Sequence, residues 1–254
     1  MSYRLPLPAY FVDRVVPVAV VGAGGTGSQV CDQLASLAAT LQALGHPGLR
    51  VTVFDPDVVS EANIGRQRFS RADIGANKAA TLVHRINLFH GLSWTAIPNY
   101  FEGDAVPGSL IIGCVDTVDA RATIAQGVGE IPHGPPAWWL DCGNSNRQGH
   151  VILGGWDDDF GMIPSWYDLF PDAEDEPDEP SCSLAEALQH QSMPVNGRAA
   201  GLAMELLYQW FRTGFLDWHA ALFEVCPPSV TTLPIDPMSW VPFGWDHIPA
   251  EINE

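Results

Sequence analysis

Lysine is almost absent from this chain: Lys78 is the only one in 254 residues, and the other Lys/Arg positions are all arginine. Cations of any kind are scarce, with 12 Lys and Arg against 30 Asp and Glu, for a formal net charge of −18. A nucleic-acid-binding face needs clustered cations to neutralise phosphates, so nucleic acid is excluded as a main partner. An anionic membrane surface is excluded for the same reason. No apolar run reaches the ~20 residues that cross a bilayer. No basic segment followed by a long apolar stretch opens the chain, so the expected location is the cytoplasm. The cysteines are few and scattered, at 31, 114, 142, 182 and 226, with no C-x-x-C pair. That spacing argues against a disulfide framework and against structural zinc.

What is present is globular. Apolar residues make up 46% of the chain and charged residues 17%, enough for one large α/β domain with a full core. Val15–Val21 is a β-branched apolar run that leads into Gly22-Ala23-Gly24-Gly25-Thr26-Gly27. Val30, Leu34, Leu37, Leu41 and Leu44 then recur at helical spacing until Gly45 and Pro47. Val51–Phe54 reads as a second strand that ends at Asp55. This strand, glycine-rich turn, helix and strand form the opening half of a Rossmann-like, doubly wound fold.

The alternation continues. Residues 56–75 read as a polar loop with a short helical turn, Ala76–Phe89 as a helix and Ser93–Ile97 as a strand. Leu110–Cys114 is a strand, Val118–Val128 a helix, and Ala137–Asp141 and His150–Leu153 are strands. Such an order implies a mainly parallel sheet covered on both faces. The expected organisation is a single domain, 1–254, with a core over 15–155. An acidic, proline-containing crossover loop, expected to be mobile, follows at 156–182. A C-terminal extension of helices and strands occupies 183–254, with helices at Ser183–Gln189 and Gly197–Phe211.

The glycine turn, with Gly22, Gly24, Gly25 and Gly27, lets backbone N–H groups approach a phosphate at a helix N-terminus. Asp55 ends the next strand, where a carboxylate can accept hydrogen bonds from ribose hydroxyls. Both features suit NAD and ATP equally.

The residues that follow separate the two. The stretch Asp55-Pro-Asp57-Val-Val-Ser-Glu-Ala-Asn63-Ile-Gly-Arg66-Gln67, then Asn77-Lys78, then Cys114-Val-Asp116-Thr-Val-Asp119-Ala-Arg121, resembles the ThiF / MoeB / ubiquitin-activating superfamily. Within it the chain is similar to the ThiF-related member of the bacterial PRTRC plasmid cassette. The resemblance covers roughly residues 15–125, with the lysine spacing slightly different. It implies that Asp55 holds the ribose, that Asn63, Arg66 and Lys78 contact phosphates, and that Gln67 and Arg121 support the pocket. It implies Asp116 as the Mg²⁺ ligand, with Asp119 a helix N-terminal charge. The chemistry agrees, because a triphosphate carries more charge than a dinucleotide's pyrophosphate and needs cations and a metal to offset it. A lone lysine at the position where these relatives keep a phosphate lysine adds weight, since a compact ammonium and a planar guanidinium are not interchangeable.

The implied activity is ATP-dependent adenylation of the C-terminal carboxylate of a ubiquitin-like or sulfur-carrier-like small protein, with ATP and Mg²⁺ as cofactors. Many relatives pass the acyl group to a cysteine on a crossover loop. Cys182, in Pro180-Ser181-Cys182-Ser183-Leu-Ala-Glu186, follows the acidic segment and opens a predicted helix, so it is the candidate nucleophile. Its acidic neighbours disfavour a thiolate. The paired C-x-x-C motifs and the N-terminal R-Y-x-R-Q helix of some relatives are absent, and Arg4 or Arg14 stands nearest to the latter. A homodimer is still expected. Two other readings stay open: a non-catalytic nucleotide-binding scaffold for a ubiquitin-like partner, and an NAD(P)-dependent oxidoreductase that would leave Arg66, Lys78 and Asp116 idle.

Overall fold

The computed structural model describes residues 3–131, 133–157, 161–175 and 193–245. Its centre is a parallel sheet built from β2 (Val16–Val21), β3 (Leu49–Phe54), β4 (Thr95–Ile97), β5 (Leu110–Gly113) and β6 (Trp138–Asn144). The spatial order is β6-β5-β2-β3-β4. The chain therefore steps outward from β2 in both directions. At such a switch point the carboxyl ends of the strands leave a crevice where ligands bind. The β-branched residues of β2 explain its place: Val16, Val18 and Val20 are buried, in register with β3 on one side and, from Val18 onward, β5 on the other.

The parallel pattern stops after β6. Only residues 145–147 separate β6 from β7 (Gln148–Asp157), too few for a crossover, so β7 pairs antiparallel with β6. β8 (Gly161–Ile163), β10 (Trp218–Val225) and β11 (Pro228–Pro234) extend this antiparallel half. A separate two-stranded pair joins β1 (Leu5–Pro6) to β9 (Phe215–Leu216).

Helices cover both faces. α1 (Ala9–Val12) is one turn, while α2 (Gly25–Ala43) packs along α6 (Met193–Thr213). α3 (Lys78–His90) also packs on α2. α4 (Val118–Gly129) and α5 (Trp166–Leu169) pack on each other, α4 on β5 and β6, α5 on β7. Alternation along β6 sorts the faces: Trp138 meets Trp210 of α6 with ring centroids 5.0 Å apart, whereas Asp141 meets Arg121 of α4.

One expectation needs amending. The acidic segment from 156 onward is not loop throughout. β7 runs on to Asp157, β8 follows, and Ile163, Trp166 and Leu169 are buried. Apolar residues interleaved with the carboxylates outweigh the charge there. In the extension after Cys226 the chain forms β11 and the short helix α7 (Pro237–Trp240). The predicted helix at 183–189 lies outside the described residues.

β10 buries His219 completely. A carbonyl can only accept, so His219 Nδ1 donates to Leu153 O at 2.9 Å, and Nε2 is buried without a partner among the described residues. Burial pushes its pKa down from 6.5 to about 4. The native state holds this imidazole neutral while the unfolded chain protonates it. Its stabilising share is complete above pH 6.5 and is lost as pH falls toward 4. Between pH 7 and pH 5 the wild type should lose about 2 kcal/mol more stability than His219→Leu. Urea titrations of both proteins at the two pH values measure this. Parallel losses would mean that His219 is not held neutral.

Candidate functional site

The crevice at the carboxyl ends of β2, β3 and β5 is closed by the glycine turn. Gly22 has φ +91°, and a Cβ there would lie 2.6 Å from the Cys114 carbonyl oxygen. A Cβ on Gly27 would overlap the Gly22 carbonyl oxygen and also crowd the Cys114 Cβ at 3.2 Å. These two glycines therefore serve the packing of turn against β5. Gly24 is different: a Cβ there would have nothing closer than Gln67 Nε2, at 4.0 Å. The space over Gly24 is open to a ligand, as a phosphate cradle requires.

Behind the turn is a polar cluster that the sequence did not announce. Thr26 Oγ1 donates to Asn196 Oδ1 at 3.0 Å and accepts from Asn144 Nδ2 at 2.5 Å. Asn144 ends β6 and Asn196 begins α6, so one hydroxyl ties both to the first turn of α2. That hydroxyl's proton is already given to Asn196, so the Thr26 side chain has no donor left for a ligand. Gly25 is where Asn196 comes closest: a Cβ there would lie 2.7 Å from its carboxamide.

Asp55 follows β3 and is buried. Its Oδ2 accepts from the Ala23 N–H at 2.6 Å and its Oδ1 from the Asp57 N–H at 2.9 Å. Burial raises its pKa, opposed by the two amides and the Lys78 charge. The side chain thus braces the glycine turn, and each oxygen keeps a lone pair for a hydroxyl donor.

Lys78 opens α3 and is only 8% exposed. Its Nζ lies 2.8 Å from Asp57 Oδ2, and Asp57 itself is exposed. Asn77 caps α3 through Ala80 N and donates to the carbonyl oxygens of Asp55 and Asp57, which pins the helix start to the end of β3. Asn63 is buried, and its Oδ1 accepts from Ser60 N and Oγ, so its amide donor is what remains for an anion. Arg66 is half-buried, and burial lowers its pKa. Gln67 is 8% exposed, and its Oε1 is buried without a partner among the described residues. The Gln67 atom nearest the open glycine position is Nε2, a donor, which suits an anionic ligand there.

Asp116 sits in the short loop between β5 and α4 and is exposed. Asp119 lies in the first turn of α4, where a carboxylate suits the helix N-terminus. Contacts thus join the glycine turn to Asp55, Asp57, Lys78 and Gln67, and through Cys114 to the loop that carries Asp116. Among the described residues no group of three or more His, Cys, Asp and Glu forms a metal cage. Mg²⁺ takes one or two carboxylates and lets phosphates and water complete its octahedron, so the single carboxylate of Asp116 fits that mode. Cys182 lies outside the described residues. A cavity of about 550 Å³ between α2, residues 65–70 and α3 touches this site only through Gln67.

Sequence reasoning missed Thr26, Asn144, Asn196 and the fully buried Asp141. A carboxylate inside the apolar strand Trp138–Asn144 was the one visible signal for the last.

The sequence profile of the ThiF family matches residues 14–225. The ubiquitin-like modifier-activating enzyme 5 of Dictyostelium discoideum is 28% identical over 160 residues, covering 55% of this chain and 39% of that protein. Its Xenopus laevis counterpart is also 28% identical over 160 residues, covering 55% and 37%. The chain thus spans well under half the length of these curated relatives. Among solved structures, E. coli MccB with ATP superposes with a TM-score of 0.59 at 15% identity, covering 87% of this chain and 64% of that one. PaaA superposes with a TM-score of 0.57 at 17% identity, with the same coverage. No helix of the described residues is long and apolar enough to cross a membrane.

Proposed function

The chain belongs to the ThiF family, and from that premise we propose that it binds Mg·ATP over the glycine turn and adenylates the C-terminal carboxylate of a ubiquitin-like protein. The observation that carries this reading is the buried Lys78 ammonium, held by Asp57 beside an Asp55 carboxylate that braces the turn. A cation of this kind beside an open glycine cradle suits a triphosphate and is superfluous for a nicotinamide dinucleotide.

In the proposed reaction a carboxylate oxygen of the partner's last residue attacks the α-phosphorus. A new P–O bond forms, the bond from that phosphorus to the bridging oxygen breaks, and pyrophosphate leaves. The nucleophile is already an anion, so no general base is needed. The chain contributes binding, orientation and charge. The backbone N–H groups at Gly24 and the N-terminus of α2 donate to phosphate oxygens, and Asp55 accepts from the ribose hydroxyls. Asn63, Arg66 and Lys78 offset the charge that develops on the leaving pyrophosphate. Asp116 would hold Mg²⁺, which when bound adds positive charge at the phosphates. Gln67 supports the pocket wall beside the glycine turn, and Arg121 supports the pocket only through the loop that carries Asp116.

The second half of the reading is acyl transfer to Cys182. The thiolate would attack the acyl carbon, form a thioester and release AMP. Mass spectrometry after incubation with Mg·ATP and a ubiquitin-like protein tests both halves. The expected result is acyl adenylate and thioester in the wild type, with adenylate alone in Cys182→Ala. A thioester that survives in Cys182→Ala moves the nucleophile elsewhere, and absence of adenylate with every candidate carboxylate rejects the reading. A homodimer is part of the same proposal, with light scattering as its check.

A further inference from the structure

An ionic cluster centred on Arg121 and Asp141 lies behind the loop carrying Asp116. Asp141 of β6 has no exposed surface. Arg121 Nε donates to its two oxygens at 3.2 and 3.1 Å, and His150 Nε2 lies 2.7 Å from Oδ2. The Arg121 guanidinium also lies 4.6 Å from the centre of the Trp166 ring. The strands make room for this cluster: a Cβ on Gly113 would come within 3.1 Å of Asp141 Oδ1, and one on Gly143 within 2.8 Å of Arg121 Nη2. Removing an ion pair from water costs about what its attraction returns, so apolar residues of similar size would stabilise this layer equally well.

What apolar residues would not do is grip a carbonyl. Arg121 Nη2 donates to Val115 O at 2.9 Å. The rest of the loop is tied as well: Cys114 N donates to Val21 O, Thr117 caps α4 through Ala120 N, and Val118 N donates to Asp175 Oδ1 at 2.7 Å. Asp116 lies exposed in the middle of this braced loop.

We propose that Asp141 is a positioning residue, which through Arg121 holds the Val115 carbonyl and thereby sets Asp116 for the magnesium ion that accompanies ATP. Asp141 orients the guanidinium, and the guanidinium's fork reaches carboxylate and carbonyl together. This rests on the reading of Asp116 as the magnesium ligand. Loss of a residue that orients a metal ligand costs about 10- to 100-fold in metal affinity.

The test is calorimetric titration of ATP into the whole chain, once with magnesium and once with EDTA. The variants are Asp116→Ala, Asp141→Asn and Arg121→Lys. The last keeps a cation against Asp141 but lacks the fork, so it carries the test even if Asp141→Asn fails to fold. Circular dichroism and melting temperature check each protein. Expected are Mg·ATP affinities lowered at least about tenfold in all three, with affinity in EDTA equal to wild type. If Asp116→Ala loses the magnesium dependence while Asp141→Asn and Arg121→Lys keep it, the positioning role is overturned and the metal site stands. Equal losses with and without magnesium make the cluster merely structural and overturn it too. If Asp116→Ala keeps the magnesium dependence, the reading of Asp116 fails and the proposal falls with it.

Discussion

Replacing Lys78 with alanine is expected to lower the rate of partner-dependent ATP–pyrophosphate exchange about 10²- to 10³-fold, which is the loss seen when one preorganised charge-stabilising donor is removed. The fold should survive. The counter-ion, Asp57, is exposed, so the change leaves that carboxylate solvated, and the buried Asp55 keeps the Ala23 and Asp57 amides. Asn77 caps α3 and holds it to β3 without the lysine. Lys78→Arg should restore little, because the position is buried and suits a compact ammonium better than a planar fork. Exchange assays on purified protein, with circular dichroism beside them, check this. A variant that exchanges at the wild-type rate would remove Lys78 from the phosphate site and with it the observation on which the functional reading stands.

The second large effect separates two glycines of one motif. Gly27→Ala should destabilise the protein by about 3 kcal/mol or more, because its new carbon overlaps a backbone carbonyl that no side-chain rotation can move. In a domain of this size that is a melting temperature lower by roughly 6–12 °C. Gly24→Ala should melt near the wild type, since its carbon meets nothing within ordinary contact distance. It should instead weaken Mg·ATP, because the methyl fills the space a phosphate oxygen would occupy. Differential scanning calorimetry and ATP titration on both variants give four numbers. Equal melting temperatures would contradict the packing described for Gly27, and wild-type ATP affinity in Gly24→Ala would place the phosphates elsewhere.

Local order was legible where one segment sufficed. The run 15–21, the glycine turn and the apolar spacing from Val30 to Leu44 define β2 and α2 without reference to anything distant, because a buried strand and an amphipathic helix write their periods into the chain. Asn77-Lys78 before an apolar helical pattern likewise marks the start of α3, since a cap and a helix are neighbours in sequence. The acidic stretch misled because net charge was weighed above the interleaved Ile163, Trp166 and Leu169, which bury against the sheet. The direction of β7 is not legible locally, because the short link of three residues decides it and composition does not reveal where the strands end.

By itself, then, the sequence determined the doubly wound architecture and the family, and it named the candidate residues of a nucleotide site, since all of these follow from periodicity and from motifs within short spans. Only the tertiary structure decided what those residues do to one another. Thr26 is engaged by asparagines 118 and 170 positions away. Asp55 braces a turn 32 positions before it, and the loop of Asp116 is gripped through a carboxylate 20 positions beyond Arg121. Hydrogen bonds and ion pairs act over about 3 Å in space whatever the separation along the chain, so such partners come together only when strands and helices from distant segments are packed side by side.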